Sequence, residues 1–419
     1  MREMKDSGIE WIGAIPRAWK MNTIAQIFLQ VKCKNTGLQE KNLLSLSYGK
    51  VKRKSIDTVE GLLPESFDGY NIIEKDDIVL RLTDLQNDHT SLRVGLAEER
   101  GIITSAYLTI RNRSNFCPKY LYYYLHSFDI AKGFYGMGAG VRQGLNWDGV
   151  KWLKILAPLV PEQERIAAFL DAECAVIDAV LEKTRASIEE YKKLKQAVIT
   201  QAVTKGIRGD RPMKDSGIEW IGEIPAEWDV IRNVFLYKEK SRLPEENAVS
   251  LSLSQVDGLI ATDDMKERSL KTSTYDGWKQ VRTNDLVLNR FKGHLGVLFA
   301  ASIEGMVSFH YGVYEPLRQF DSKFFEYLYH SDVYKAILGL KSNGMTIGLQ
   351  NLSNQNFYSV YSLYPPEAEQ QEITQYLDDK CSGIDALVVQ KQEHLTEIEN
   401  YKKSLIYEYV TGKKEVHPL

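Results

Sequence analysis

A glycine run, GMGAG at 136–140, is the first feature of this chain that could do chemistry, since such turns let backbone N–H groups wrap a phosphate. It does not lie between a recognisable strand and helix of a βαβ unit, and no G-x-x-x-x-G-K-[ST] occurs. Nucleotide binding and ATP hydrolysis are therefore not expected. YPPEAEQ (364–370) puts its aromatic before the prolines and has no leading Asn or Asp, so it lacks the order an amino-methylating tetrad needs. His89, His126, His294, His310 and His330 form no metal-ligand pattern with nearby Cys or Glu. Cys33, Cys117, Cys174 and Cys381 are scattered, as reduced and mostly buried thiols would be. No acidic-plus-Lys nuclease cluster and no Ser/His/Asp arrangement stands out. The expectation is a chain that recognises without catalysing, with no metal and no cofactor of its own.

What it recognises is suggested by the placing of charge. The net charge of -3 is no footprint of a nucleic-acid binder, yet Arg17 to Lys54 holds nine Lys or Arg against one acid, Glu40. A basic face on a nearly neutral whole can bind phosphate and leave other surface for other partners. Base edges call for Arg, Lys, Asn and Gln on loops. The first stretch offers Lys50, Lys52, Arg53 and Lys54 after a strand-like LLSLSYG, with Arg142 and Gln143 in the glycine loop. The second offers Asn289, Arg290, Lys292 and His294 in LNRFKGH, and Lys341, Asn343 and Thr346 in KSNGMT. Matched by position, Lys50 and Lys52 face Gln255 and Asp257, so the two sets differ in chemistry. A solvated surface explains any single member equally well. Aromatic-rich YLYYYL (120–125) has helical spacing and is expected to pack in a core rather than stack on bases.

The elements that position these residues come in duplicate. Met4–Trp19 matches Met213–Trp228 at thirteen of sixteen positions, and a frame of 207 pairs Glu162-Gln163 with Glu369-Gln370, Cys174 with Cys381 and Asp178 with Asp385. Two segments recurring in one order mark a tandem duplication. Between them, 20–157 and 229–364 match poorly and mix alternating β-type runs with a short helical piece, which predicts α+β bodies of one fold with different surfaces. Residues 162–204 place Ile166, Phe169, Leu170, Ile177, Leu181, Ile188, Tyr191, Leu194 and Val198 at the spacing of one helix face, and 369–411 repeats it. A helix of about 40 residues spans roughly 60 Å. The linker IRGDRP (207–212) is too short to return along it. Two antiparallel helices with a body at each end, related by a pseudo-two-fold axis, are the expected result. The expected domains are 1–157 and 207–364 as readers, with 158–206 and 365–419 as spacer helices.

Length suits two or three domains, and 43% hydrophobic with 26% charged residues is ordinary for a globular protein. No run of eighteen apolar residues occurs, so no membrane partner is expected, and MREMKDSGIE has no signal-peptide core, which leads to the expectation of a cytoplasmic protein.

The doubled SGIEWIG-x-IP-x-x-W opening, the PxxEQxxIxxxLD…ID entry to a long helix and its AVTKG end (YVTGK in the second copy) together resemble the specificity subunit of type I restriction-modification systems. The resemblance covers the whole chain. It implies two target-recognition domains on a coiled coil, reading an asymmetric bipartite double-stranded DNA target. It also implies two modification (methyltransferase) subunits docked on the helices and two restriction/translocase subunits beyond them. S-adenosylmethionine, ATP and Mg²⁺ then belong to the partners. Glu162, Gln163, Asp171, Asp178, Glu369, Gln370, Asp378 and Asp385 are candidates for that docking, or else cap the helices and lock the pair together. Two other readings stay open: an enzyme with an unrecognised site, and a protein-interaction adaptor on a helical spacer.

Overall fold

The computed structural model describes residues 2–55, 66–88, 90–135, 137, 144–255, 257–265, 275–344 and 350–416. Two compact units divide the chain: Met1–Arg185 with Glu393–Leu419, and Ala186–Gln392. Each combines one α+β body with a segment of both long helices, Val160–Lys205 and Glu367–Val410.

In the first unit the opening repeat forms a hairpin, Met4–Asp6 against Ala14–Pro16. Its loop is shaped by Asp6, whose carboxylate accepts from Gly8 N at 3.0 Å, and the repeat at Asp215 and Gly217 does the same. Lys20–Thr23 then pairs with Lys154–Ala157, so the start and end of the body lie side by side. Between them runs a four-stranded sheet ordered Phe28–Gln30, Leu108–Asn112, Ile78–Leu80, Val94–Leu96. Two separate two-stranded antiparallel sheets, Asn71–Ile73 with Gly101–Ile103 and the hairpin Leu44–Ser47 with Lys50–Arg53, complete the body. The second unit repeats every pairing. Asp229–Arg232 joins Tyr361–Tyr364, and the four-stranded sheet runs Tyr237–Glu239, Tyr311–Pro316, Leu286–Asn289, Leu298–Ala300. Lys279–Val281 pairs with Gly305–Val307, and Leu251–Ser254 with Gly258–Ala261. The two poorly matching stretches thus share one strand order.

The cores explain the repeated residues. Trp19, Tyr120, Tyr124, Ile155, Ile166, Leu170, Leu405, Ile406 and Val410 pack into one cluster; Trp228, Phe324, Tyr329, Leu363, Ile373, Leu377, Ile199, Ala202 and Val203 form its counterpart. Tyr120 and Tyr124 are fully buried, as the spacing of YLYYYL predicts. Cys174 and Cys381 are buried free thiols whose pKa burial raises. Each unit therefore closes only when ends of both helices cover its body.

Within each unit the helix segments run antiparallel. In the first, Phe169 stacks on Tyr409, Asp178 meets Lys402 and Arg185 meets Glu399, so positions rise along one helix as they fall along the other. In the second, Tyr191 lies under Lys391 and Lys195 meets Asp385. One detail differs from the periodicity. Leu194 is exposed, as is its equivalent Tyr401, because the buried stripe continues through Ile199 and Ala202 while the 191–194–198 spacing walks off its flank.

Candidate nucleic-acid interface

The Lys50–Arg53 strand follows a tight turn at Tyr48 and Gly49, both with positive φ, and its partner strand buries Leu44 and Leu46. Lys52 and Tyr48 are both exposed. Arg53 is engaged by Glu99 through a two-pronged pair whose Nε arm measures 2.6 Å. Lys50 lies 3.8 Å from Asp178 on the long helix, and the Lys54 backbone N donates to Leu43 O. Lys50 and Arg53 thus already face carboxylates. The second unit's turn is one residue longer (255–257 against 48–49). Ser47 pairs with Lys50 and Ser254 with Gly258, so Lys50, Lys52 and Arg53 match Gly258, Ile260 and Ala261, not the Gln255 and Asp257 that counting suggests. That second strand carries no cation.

Arg142 and Gln143 lie outside the described residues, as does Thr346. The segment directly after Gln143 is anchored, with Leu145 N donating to Leu82 O at 2.9 Å. In the second unit Leu352 N donates to Arg290 O at 2.9 Å, and Asn343 and Asn351 exchange backbone bonds of 3.0 and 2.8 Å. The Asn289–His294 set and the Lys341–Asn343 set, about fifty residues apart in sequence, are thereby brought onto one surface. Lys292, Lys341 and Asn343 are exposed there. Asn289 instead caps a short 3₁₀ helix, its Oδ1 accepting from Phe291 N and Lys292 N. Arg290 is held by Glu239, which also takes Lys279. His294 is half-buried.

The eight helix residues hold the chain to itself. Glu162 accepts the indole N–H of Trp19 at 3.2 Å and pairs with Arg2 at 2.6 Å; Glu369 accepts from Trp228 at 2.9 Å and pairs with Arg211. Gln163 and Gln370 are fully buried, and each donates its amide to a carbonyl five residues back, Pro158 O at 2.9 Å and Pro365 O at 2.8 Å. Asp171 accepts from Tyr123 and Asp378 from Tyr327, tying helix to body, while Asp178 and Asp385 meet Lys402 and Lys195 across the helix seam. Capping and locking is their role in the fold. Gln163, Glu369 and Gln370, buried and bonded within the chain, are closed to an incoming protein. Outward apolar residues repeat on the same helices in the 207 frame: Val180 with its equivalent Leu387, and Leu194 with Tyr401, the last two expected on the buried face but exposed.

The chain is a duplicated α+β body, each copy packed on segments of both long helices and carrying loops of different build on the same strands. No protein-family model matches the chain, and no curated protein matches it in sequence. Among solved structures, one from work on complex assembly and conformational transition of the type I R-M system superposes with a TM-score of 0.69 at 15% identity, over 96% of this chain and 99% of that one. The HsdS subunit from Thermoanaerobacter tengcongensis superposes with a TM-score of 0.50 at 14% identity, over 98% and 100%. At these identities the likeness establishes the fold, and it runs the length of the chain.

Proposed function

We propose that this chain is the DNA-specificity subunit of a type I restriction-modification complex. Each α+β body reads one half of an asymmetric, bipartite duplex target. The observation that carries this is the identity of strand pairing in the two bodies together with the difference of their loops: one scaffold, two readers. The full-length likeness to proteins of type I systems supports it.

Two methyltransferase subunits dock on the helices in this reading, and two restriction/translocase subunits join through them. Exposed Val180, Leu387, Leu194 and Tyr401 offer equivalent apolar patches to two equivalent partners. S-adenosylmethionine, ATP and Mg²⁺ serve those partners, the chain itself is non-catalytic, and the complex works in the cytoplasm. Lys52, Lys54, Lys292 and Lys341 meet phosphates, and Asn343 a base edge or phosphate.

Co-expression with a methyltransferase subunit, followed by methylome sequencing, tests the proposal. One split, asymmetric methylated motif is expected. Exchange of residues 20–157 for those of another such protein should then change one half of the motif and leave the other. A motif whose halves change together, or no motif at all, overturns it.

A further inference from the structure

The same two strands are connected differently in the two units. Ile78–Leu80 reaches Val94–Leu96 through the loop 81–93, whereas Leu286–Asn289 reaches Leu298–Ala300 through a 3₁₀ helix, Arg290–Leu295. The first loop is wrapped around one side chain. Arg93 is fully buried, and its guanidinium donates to Arg81 O at 3.1 Å, Thr83 O at 2.9 Å, Asp84 O at 3.4 Å and Asp88 O. Its Nε donates to Tyr135 Oη at 3.0 Å, and that hydroxyl donates in turn to Asp88 O at 2.9 Å. The Arg93 backbone N is held by Asp129 at 2.6 Å.

A buried cation is an expensive way to stabilise a protein, and an apolar residue of similar size usually does as well. What these bonds secure is shape: four carbonyls from successive parts of one loop converge on a rigid fork. With the carbonyls and Leu82 and Leu85 turned inward, Thr83, Gln86, Asn87 and Thr90 are left exposed. Amides and hydroxyls are the groups that read base edges. The loop also lies where the second unit gathers its candidates, because the bond from Leu145 to Leu82 is the counterpart of that from Leu352 to Arg290.

We propose that residues Arg81–Asp88 are the base-reading element of the first body, with Gln86 and Asn87 at duplex base edges and Arg93 as the positioning residue that presets it. The inference rests on the DNA-specificity reading and goes further by naming the element and its contacts. A preset loop reads by fit, since little ordering entropy remains to be lost on binding. The different construction of the second loop accounts for two unlike half-sites.

Selection by the full chain, with its methyltransferase partner, from duplexes randomised in both halves tests it. Gln86 and Asn87 are exposed, the Asn87 amide donating to Asp84 Oδ1 at 2.8 Å within the loop; Gln86→Ala and Asn87→Ala should each lower base discrimination about 5- to 100-fold at one or two positions of one half. Selection in the other half, affinity for unrelated DNA and salt dependence should stay as they were. Arg93→Met should blur several positions of that same half, and Arg93→Lys, which keeps the charge but not the fork, should do so too. Selection in both halves that survives Gln86→Ala and Asn87→Ala within twofold overturns the loop assignment alone. Failure of the unaltered chain to select any sequence overturns the parent reading instead.

Discussion

Lys402 Nζ lies 2.5 Å from Asp178 Oδ1 in the first unit, and in the second Lys195 lies 2.6 Å from Asp385, the same pair displaced by the 207-residue frame. The duplication is therefore written into the seam between the helices, and each helix supplies the acid in one unit and the base in the other. Both pairs are solvent-accessible, so each sets register more than it adds stability.

The buried acid–base contact of the second unit should behave otherwise. Glu369 and Arg211 are nearly enclosed beside Trp228, whereas Glu372 and Arg208 are half exposed. Glu369→Gln strands a buried guanidinium and is expected to cost about 3 kcal/mol. Glu372→Gln should cost less than about 1 kcal/mol. Urea denaturation of the two variants compares them directly, and equal losses would contradict the geometry.

Burial holds His126 and His330 down to about 4 from 6.5; His126 is buried, and His330 is half-buried against Phe299 with a ring nitrogen 2.9 Å from Leu298 O. A folded pKa below the unfolded one means the unfolded chain binds protons first as the pH falls. Stability should be constant above pH 6.5 and decline toward pH 4. Replacing either histidine with Phe should flatten its share of the decline in thermal melts followed across that range. A profile unchanged in both variants would exclude these rings as the cause.

Gly101 and Gly305 occupy equivalent strand starts where a Cβ would collide with a backbone oxygen, Asn42 O in one unit and Val249 O in the other. Those oxygens accept from Ile102 N and Met306 N, each at 2.8 Å, so neither can retreat cheaply. Gly101→Ala and Gly305→Ala are each expected to cost about 1–3 kcal/mol by overpacking. Loss in one unit only would show that the scaffolds are less alike than their strand pairing.

Among the cations of the first hairpin, Lys52→Ala should lower the slope of log affinity against log salt by about one on any duplex. Arg53→Ala should lower it less, because Glu99 already occupies its fork. Anisotropy titrations over a range of salt measure this; slopes indifferent to both changes would remove the hairpin from the DNA surface.

The duplication, the two long helices and the burial of the YLYYYL face were legible in the residues alone. Helical and strand periods are local properties, and a repeat of 207 residues is visible without knowing what touches what. Tertiary structure decided the rest. Arg53 meets Glu99, 46 residues away, only because strand pairing brings them together. Gln163 and Gln370 read as surface amides by type but are drawn inside to serve a proline carbonyl each. Strand pairing moves the equivalent of Lys50 from Gln255 to Gly258, three positions, of which the longer turn supplies one. Arg93 carries no mark in the sequence, yet it organises a loop from within. Short-range patterns specify elements, whereas partners, burial and register depend on contacts between distant residues, and those exist only in the folded chain.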